Sequence, residues 1–459
     1  MMLLSKAASA MSGRLLGSDA EFNGIGTDSR KVLQDELFFA LKGEHFDGHQ
    51  YAEKALKLGA VAVVVSDETC LARPAILVKD TLLALGELAK AWRSQFNVPV
   101  IGVTGSNGKT TIKEMITAIL VEKTGSPKEV HATVGNLNNH IGLPLTLLKM
   151  RTHHQYAVLE MGMNHLGEID YLTRIAKPTV ALVGNAGTAH IGELGSRDNI
   201  AKAKGEIFAG LSNEGVAVIN MDDAYAGYWT SLNVGRKVLS FGLKSKADVS
   251  AEVKMNGDGR QQIQLQTPVG EIEFFLDLLG EHNVRNALAA SAVAIALNIP
   301  LKFIAQAFKK FGGVVGRLTR CAGFNDALVI DDTYNANPDS MKAAIDVLAT
   351  QIGTKIMVMG DMAELGESES SLHAEIGTYA KQNGVEMLYT LGKNSQMAAR
   401  AFGCNAQAFN SIEQLVNAVK KNMNDHSVVL IKGSRFMKME RVVNAIVQHP
   451  ISGETLKCY

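Results

Sequence analysis

A chain of 459 residues, at about 150 residues per domain, is expected to hold roughly three domains rather than one core. With 46% hydrophobic and 20% charged residues it is neither a disordered nor a collagen-like chain. Forty-six basic residues balance forty-six acidic ones, so bulk charge points to neither nucleic acid nor anionic membrane as a partner.

The apolar start of the chain is broken at Ser5 and Lys6, too early for a signal-peptide core. No window approaches the ~18 apolar residues of a membrane span. Cys70, Cys321, Cys404 and Cys458 are scattered without a CxxC pair and read as buried or incidental thiols of a reducing compartment. The expectation is a cytoplasmic monomer with no membrane insertion and no nucleic-acid partner.

Residues 1–97 hold short strand-like runs at 36–41, 60–65 and 75–78, followed by a helical stretch at 82–92. From residue 98 the texture changes. VIGVTG, AVLEMG, TVALVGN and VAVIN are apolar runs ending in Gly, Asn or Glu-Met-Gly, separated by helical patterns. That is the rhythm of a parallel sheet buried on both faces. Residues 248–279 alternate apolar and polar around Asn256-Gly257-Asp258-Gly259, which predicts antiparallel hairpins. The parallel rhythm returns after about Gly313 with ALVIDD, KIMVMGD, MLYTLG and SVVLIKGS. The expected fold is α/β in three domains, with boundaries 1–97, 98–312 and 313–459.

In open α/β sheets ligands bind at the carboxyl ends of strands, so chemistry is sought just after each apolar run. The strand 98–103 is followed by Thr104-Gly105-Ser106-Asn107-Gly108-Lys109-Thr110-Thr111 and then by a helix, 110–122, with Ile112, Met115, Ile116, Ile119 and Leu120 on one face. Small residues let successive N–H groups curl around a phosphate at a helix N-terminus. Lys109 would reach the terminal phosphates and the Thr110 hydroxyl would ligate Mg²⁺. The strict GxxxxGK[ST] pattern fails, because Val103 stands where its first Gly belongs. The bland alternative is a Gly-rich turn with a solvated lysine, which the ordered set of strand, glycines and helix disfavours.

Glu160 ends the next strand and can hold Mg²⁺ opposite the γ-phosphate. His190 follows a third strand in a glycine-bracketed loop and suits a second metal, although a lone His is more often a core or surface residue. Lys202 and Lys204 in AKAKGEIF fit a solvated helix face equally well. The loop 136–142, with Asn138 and Asn139, fits either a polar ligand or an ordinary turn.

Taken in order, TGSNGKTT, LEMGMNHLGEI, NAGTAHIGELGS, AKAKGEIF, GEHNVRNALAA, GRLTR and DDTYNANPDSM resemble the motif series of the Mur ligases, ATP-dependent amide-bond-forming enzymes of peptidoglycan precursor synthesis. TDSR with LFFALKGEHFDGHQYAEKA, GNLNNHIGLPLTLL and VMGDMAELGE lean toward the member that adds D-alanyl-D-alanine to UDP-N-acetylmuramoyl-tripeptide. The sister ligase that adds the diamino acid carries Asp-Asn-Pro-Arg. The nearest tetrapeptide here, Asn337-Pro338-Asp339-Ser340, lacks the Arg.

The resemblance implies a UDP-sugar-binding N-terminal domain, a central P-loop ATPase domain and a Rossmann-like C-terminal domain for the incoming dipeptide. It implies that 104–111 bind ATP, that Thr110 and Glu160 hold one Mg²⁺, and that His190 holds a second. Lys204 would be the carbamylated lysine that assists that second metal, with Lys202 as the alternative register. Asn283 and Asn286 would lie near the adenine, while Arg317 and Asp332 would reach the γ-phosphate and ribose. Tyr334, Asn335, Ser340, Asp361 and Glu364 would line the dipeptide pocket, and Ser29, Arg30, Lys42, Gly43 and His49 the UDP-sugar end. Lys109, Glu160, His190, Lys204 and Arg317 form the implied catalytic set. Three rivals are a folylpolyglutamate synthase-like ligase, a nucleotide-driven switch, and a non-catalytic nucleotide-binding scaffold.

Overall fold

The computed structural model of the chain describes every residue except His45, Leu71, 256–260 and 449–459. The turn expected at Asn256-Gly257-Asp258-Gly259, and Cys458, lie outside the described residues.

The first sheet has five strands in the order Arg14–Leu16, Ala75–Leu77, Ala62–Val65, Glu36–Phe39, Gly24–Gly26. All neighbours are parallel except the first pair. The three expected strands exist, each shorter than its apolar run. Met2–Leu3 pairs separately with Glu21–Phe22. The helix Thr81–Arg93 starts where the Asp80 carboxylate accepts the N–H groups of Leu82 and Leu83. It buries Leu85, Leu88 and Ala89, and its last turn ties it to the ends of two helices that flank the next sheet. There Trp92 Nε1 donates to Met150 O at 3.1 Å and Arg93 Nε to Ala176 O at 3.0 Å. One apolar core therefore runs from Leu4 through Trp92 to Trp229.

The central sheet consists of β1 (Val100–Thr104), β2 (Val130–Ala132), β3 (Tyr156–Glu160), β4 (Val180–Val183), β5 (Val216–Asn220) and β6 (Lys237–Phe241). They are all parallel, in the order β6-β5-β4-β1-β3-β2. Helix α1 (Lys109–Thr124) buries the face read from sequence, Ile112, Met115, Ile116, Ile119 and Leu120, against the sheet. Each such side chain contributes about 1.5–3 kcal/mol on burial. The alternating segment forms three antiparallel strands, Ser250–Met255, Gln261–Thr267 and Gly270–Leu276.

The last sheet contains β7 (Thr319–Ala322), β8 (Leu328–Asp332), β9 (Thr354–Gly360), β10 (Met387–Leu391), β11 (Ala406–Phe409) and β12 (Ser427–Lys432), in the order β7-β8-β12-β9-β10-β11. The sequence signals β8, β9, β10 and β12. It misses the edge strands β7, which is antiparallel to β8, and β11, because both mix polar residues into short runs. Among the described residues no helix is long and apolar enough to cross a membrane.

The helices Glu369–Gln382 and Gln396–Phe402 touch at Gly377, where an added Cβ would lie 2.1 Å from the Ala398 carbonyl oxygen. The obstacle is backbone, so it cannot rotate away. Gly377→Ala is expected to destabilise the C-terminal region by about 1–3 kcal/mol in urea denaturation. An unchanged midpoint would show that the two helices separate freely.

Candidate functional site

The carboxyl ends of β4, β1 and β3 lie side by side, so three loops meet over the N-terminus of α1. Gly108 has φ +80°, and a Cβ there would come within 2.5 Å of Asn286 Oδ1. Asn107 N–H donates to Asn185 Oδ1 at 2.9 Å, and Asn185 Nδ2 returns to Asn107 O at 3.0 Å. Gly187 N–H donates to Ser106 Oγ at 2.9 Å. Lys109 Nζ curls over the loop to Gly105 O at 2.7 Å and Ser106 O at 3.4 Å. Burial lowers the Lys109 pKa, with Glu160 pulling the other way.

Thr104 differs from expectation. It is fully buried, and its hydroxyl donates to Met161 O at 2.9 Å, so it pins β1 to the loop after β3 rather than facing a ligand. Thr110 does face the strand ends: its Oγ1 donates to Glu160 Oε2 at 3.0 Å. Asn138 Nδ2 donates to the other carboxylate oxygen at 2.7 Å. Asn139 instead accepts the N–H groups of Ile141 and Gly142, holding its own turn while bordering the cleft.

His190 sits in the left-handed region at φ +62°, with Nδ1 2.7 Å from Glu364 Oε2. The contact with His190 lowers the Glu364 pKa, and burial opposes it. Helix α2 (Arg197–Gly205) starts at Ser196, whose Oγ caps Asn199 N–H. It turns Lys204 inward at 2% exposure and leaves Lys202 exposed, which separates the two lysines that the sequence left equivalent. Burial foremost, then the Lys109 charge, pushes the Lys204 pKa well below the ordinary lysine value.

Two cavities flank the phosphate loop. One, of about 320 Å³, is bordered by Asn107, Gly108, Thr111, Asn283, Asn286 and Asp332. Asn286 Nδ2 donates to Asn283 Oδ1 at 3.0 Å, and Asn283 Nδ2 to Leu279 O at 2.8 Å, both on or beside α3 (Glu281–Ala296). Burial lowers the His282 pKa to about 4, so its ring is neutral at pH 7. Asp332, at the end of β8, pairs with the buried Lys432 at 2.6 Å. The signal for Lys432 was present: a lone lysine closing the apolar run SVVLIK.

The other cavity, a cleft of about 630 Å³, lies between Lys109, Glu160 and His190 on one side and Tyr334, Asn335, Ser340 and Glu364 on the other. Arg317 borders both spaces. Its guanidinium lies over the Tyr334 ring at 4.1 Å, and its buried Nε has no partner among the described residues. Ser340 and Asn337 close a reciprocal cap on α4 (Pro338–Ala349).

That helix also reaches across to the central domain, a role the sequence did not signal. Asn337 Nδ2 donates to Asn107 Oδ1 at 2.8 Å. Asp339 Oδ2 accepts Thr188 N–H at 2.6 Å and Thr188 Oγ1 at 2.9 Å. Arg435 and Phe436, also unsignalled, border the cleft beyond Tyr334.

Two further expectations fail on geometry. Asp361 accepts the N–H groups of Ser395 at 2.7 Å and Asn394 at 3.2 Å, so it builds a turn beneath Gly392 and does not line the cleft. His49 is buried, with Nδ1 2.6 Å from Asp47 Oδ1 and Nε2 accepting Ser66 N–H at 2.9 Å. Both ring nitrogens are thus used within the N-terminal sheet region. Of their neighbours, Ser29 is buried, Lys42 is exposed, and Gly43 N–H donates to Phe46 O. The exposed Arg30 pairs with Asp28 through two 2.8 Å contacts.

Known proteins match this chain from end to end. The model of the Mur ligase middle domain matches residues 103–294, that of the Mur ligase glutamate ligase domain 316–435, and that of the Mur ligase family catalytic domain 21–93. A UDP-N-acetylmuramoyl-tripeptide–D-alanyl-D-alanine ligase of Haemophilus influenzae is 39% identical over 96% of this chain and 97% of its own length. The crystal structure of MurF from Acinetobacter baumannii superposes with a TM-score of 0.89 at 37% identity, covering 96% of this chain and 97% of that one. MurF ligase from Thermotoga maritima in complex with ADP superposes with a TM-score of 0.83 at 28% identity, covering 92% and 96%. Strand ends, phosphate loop and motif order all agree with these likenesses: the chain belongs to the Mur ligase family.

Proposed function

We propose that the chain joins D-alanyl-D-alanine to UDP-N-acetylmuramoyl-tripeptide, using ATP and forming UDP-N-acetylmuramoyl-pentapeptide through an acyl phosphate. The observation that carries this reading is Arg317, whose buried Nε, without a partner among the described residues, stands between a nucleotide-sized cavity and a second, open cleft. A group so placed suits charge that develops where two substrates meet. The full-length likeness to the named ligases selects the substrates.

On this reading the smaller cavity takes the nucleotide, with Asn283 and Asn286 near the base and Asp332 near the ribose. The N–H groups of Gly108, Lys109, Thr110 and Thr111, at the start of α1, surround the phosphates, while those of Ser106 and Asn107 are held by Asn185. The tripeptide carboxylate attacks the γ-phosphorus, the bond to the bridging oxygen breaks, and ADP leaves. Lys109 and Arg317 offset the repulsion between that carboxylate and the polyphosphate. The dipeptide amine then attacks the acyl carbonyl, phosphate leaves from the tetrahedral intermediate, and the nitrogen releases its proton. Asn337 and Asp339 hold the C-terminal domain over the site, which keeps water from the acyl phosphate.

Thr110 Oγ1 and Glu160 are hard oxygen donors 3.0 Å apart and fit magnesium; bound there, it would neutralise phosphate charge. The Glu364 carboxylate stands 2.7 Å from His190 Nδ1, the kind of neighbour a metal-ligating imidazole takes, which supports His190 as holder of a second ion. Lys204 is buried and biased toward the neutral amine, the form that adds CO₂ to give a carbamate and release a proton. Ser29, Arg30, Lys42 and Gly43 are assigned to the UDP end, with domain boundaries near residues 97 and 312.

ADP release should require UDP-tripeptide, and amide formation should further require the dipeptide. Equal ATP turnover without either substrate would remove the ligase reading. Arg317→Ala is expected to lower kcat about 100-fold or more at saturating substrates, in line with loss of one transition-state donor. A change confined to the KM for ATP would assign it to ground-state binding. Lys204→Ala should be nearly inactive and partly restored by small carboxylic acids; full activity in the variant would remove the carbamate.

A further inference from the structure

The cleft holds a cation that the acyl-phosphate chemistry does not use. Three permanently or commonly charged bases border it: Lys109, Arg317 and Arg435. Lys109 is folded onto the phosphate loop, and Arg317 lies over the Tyr334 ring at 4.1 Å while bordering the nucleotide cavity as well as the cleft. Arg435 lies near that same ring at 6.0 Å and borders both the cleft and a neighbouring cavity lined by Gly135, Asn136 and Val315. Tyr334 thus has two guanidinia near its ring, of which Arg317 alone also borders the nucleotide cavity.

Arg435 is held for this position. It sits in the short helix Arg435–Met437, directly after the Gly433-Ser434 turn that closes β12. Ser434 is buried and fixes the turn, accepting Ala363 N–H at 2.8 Å. Glu440 Oε1 takes Arg435 Nη1 at 3.2 Å, which orients the guanidinium while leaving its Nε and Nη2 without an acceptor among the described residues. Beside it Phe436 presents a ring that is 60% exposed. A guanidinium edge with two parallel donors matches a carboxylate, and an adjacent apolar surface matches a small alkyl side chain.

We infer that Arg435 is the specificity-determining residue that binds the free C-terminal carboxylate of the incoming dipeptide, with Phe436 facing its methyl groups. This rests on the ligase reading above and adds an anchor at the far end of the nucleophile. A dipeptide held by its carboxylate presents its amine toward the compartment of Lys109 and Glu160. A single amino acid, anchored at the same guanidinium, places its amine one residue short. Length selection follows from the anchor.

The test compares D-alanyl-D-alanine with its C-terminal amide, in wild type, Arg435→Met and Arg435→Lys, following product at saturating ATP and UDP-tripeptide. Wild type should prefer the free acid about 30- to 100-fold in kcat/KM, the range of a charge-assisted pair. Arg435→Met should raise the KM for the dipeptide and lose most of that preference, while the KM for ATP and the activity on the amide stay within about twofold. Arg435→Lys should recover part of the preference. Unchanged discrimination in Arg435→Met, or a fall in kcat alone, would overturn the assignment. Absence of product from wild type with either dipeptide would instead overturn the ligase reading, and this inference with it.

Discussion

The Glu160 carboxylate is the group on which the site depends. It is 3% exposed, and a charge removed so far from water is tolerated only when hydrogen bonds replace hydration. Its two oxygens are met by Thr110 from the first turn of α1 and by Asn138 from the loop after β2, while its own N–H donates to Thr133. Satisfying one buried acid therefore fixes three segments relative to one another. The phosphate loop inherits that rigidity, since Thr110 follows Lys109 directly. A parallel sheet makes this economical, because neighbouring strands deliver their carboxyl ends to the same edge.

The acyl phosphate proposed above would have to be made and consumed away from water, and side chains from distant segments interlock over the site. Asn107 meets Asn337, Thr188 meets Asp339, and His190 meets Glu364. Each pair takes one member from a central strand-end loop and one from the C-terminal domain. The left-handed backbone at both His190 and Glu364 brings these two residues within reach. Backbone of that kind is sparsely populated for residues other than glycine, and here it occurs on both partners of one contact.

Much of this was legible before any coordinates. Apolar runs separated by helical periods identified the two parallel sheets, and GKTT between a strand and an amphipathic helix located the phosphate loop. Polar loop residues were harder, because each has two fates: facing a ligand or holding the turn that carries it. His49, Asp361 and Thr104 took the second fate, and nothing in their neighbours' identities signals that. Lys202 and Lys204 stand two residues apart and so point to different sides of a helix; only the packing around α2 tells which is inside. Arg435 and Asp339 escaped notice because an exposed arginine and a helix-start aspartate are ordinary in sequence. Their meaning lies in what faces them across the cleft.

The apolar clusters are unevenly shared. One core joins the N-terminal helix Thr81–Arg93 to the central sheet, whereas the two C-terminal clusters are built from C-terminal residues, with Leu279 of the central region packed against one of them. The side-chain contacts named above that cross between the central and C-terminal regions, Asn107 to Asn337, Thr188 to Asp339 and His190 to Glu364, are all polar. Breaking those contacts would exchange protein partners for water, so each costs far less than its strength in isolation.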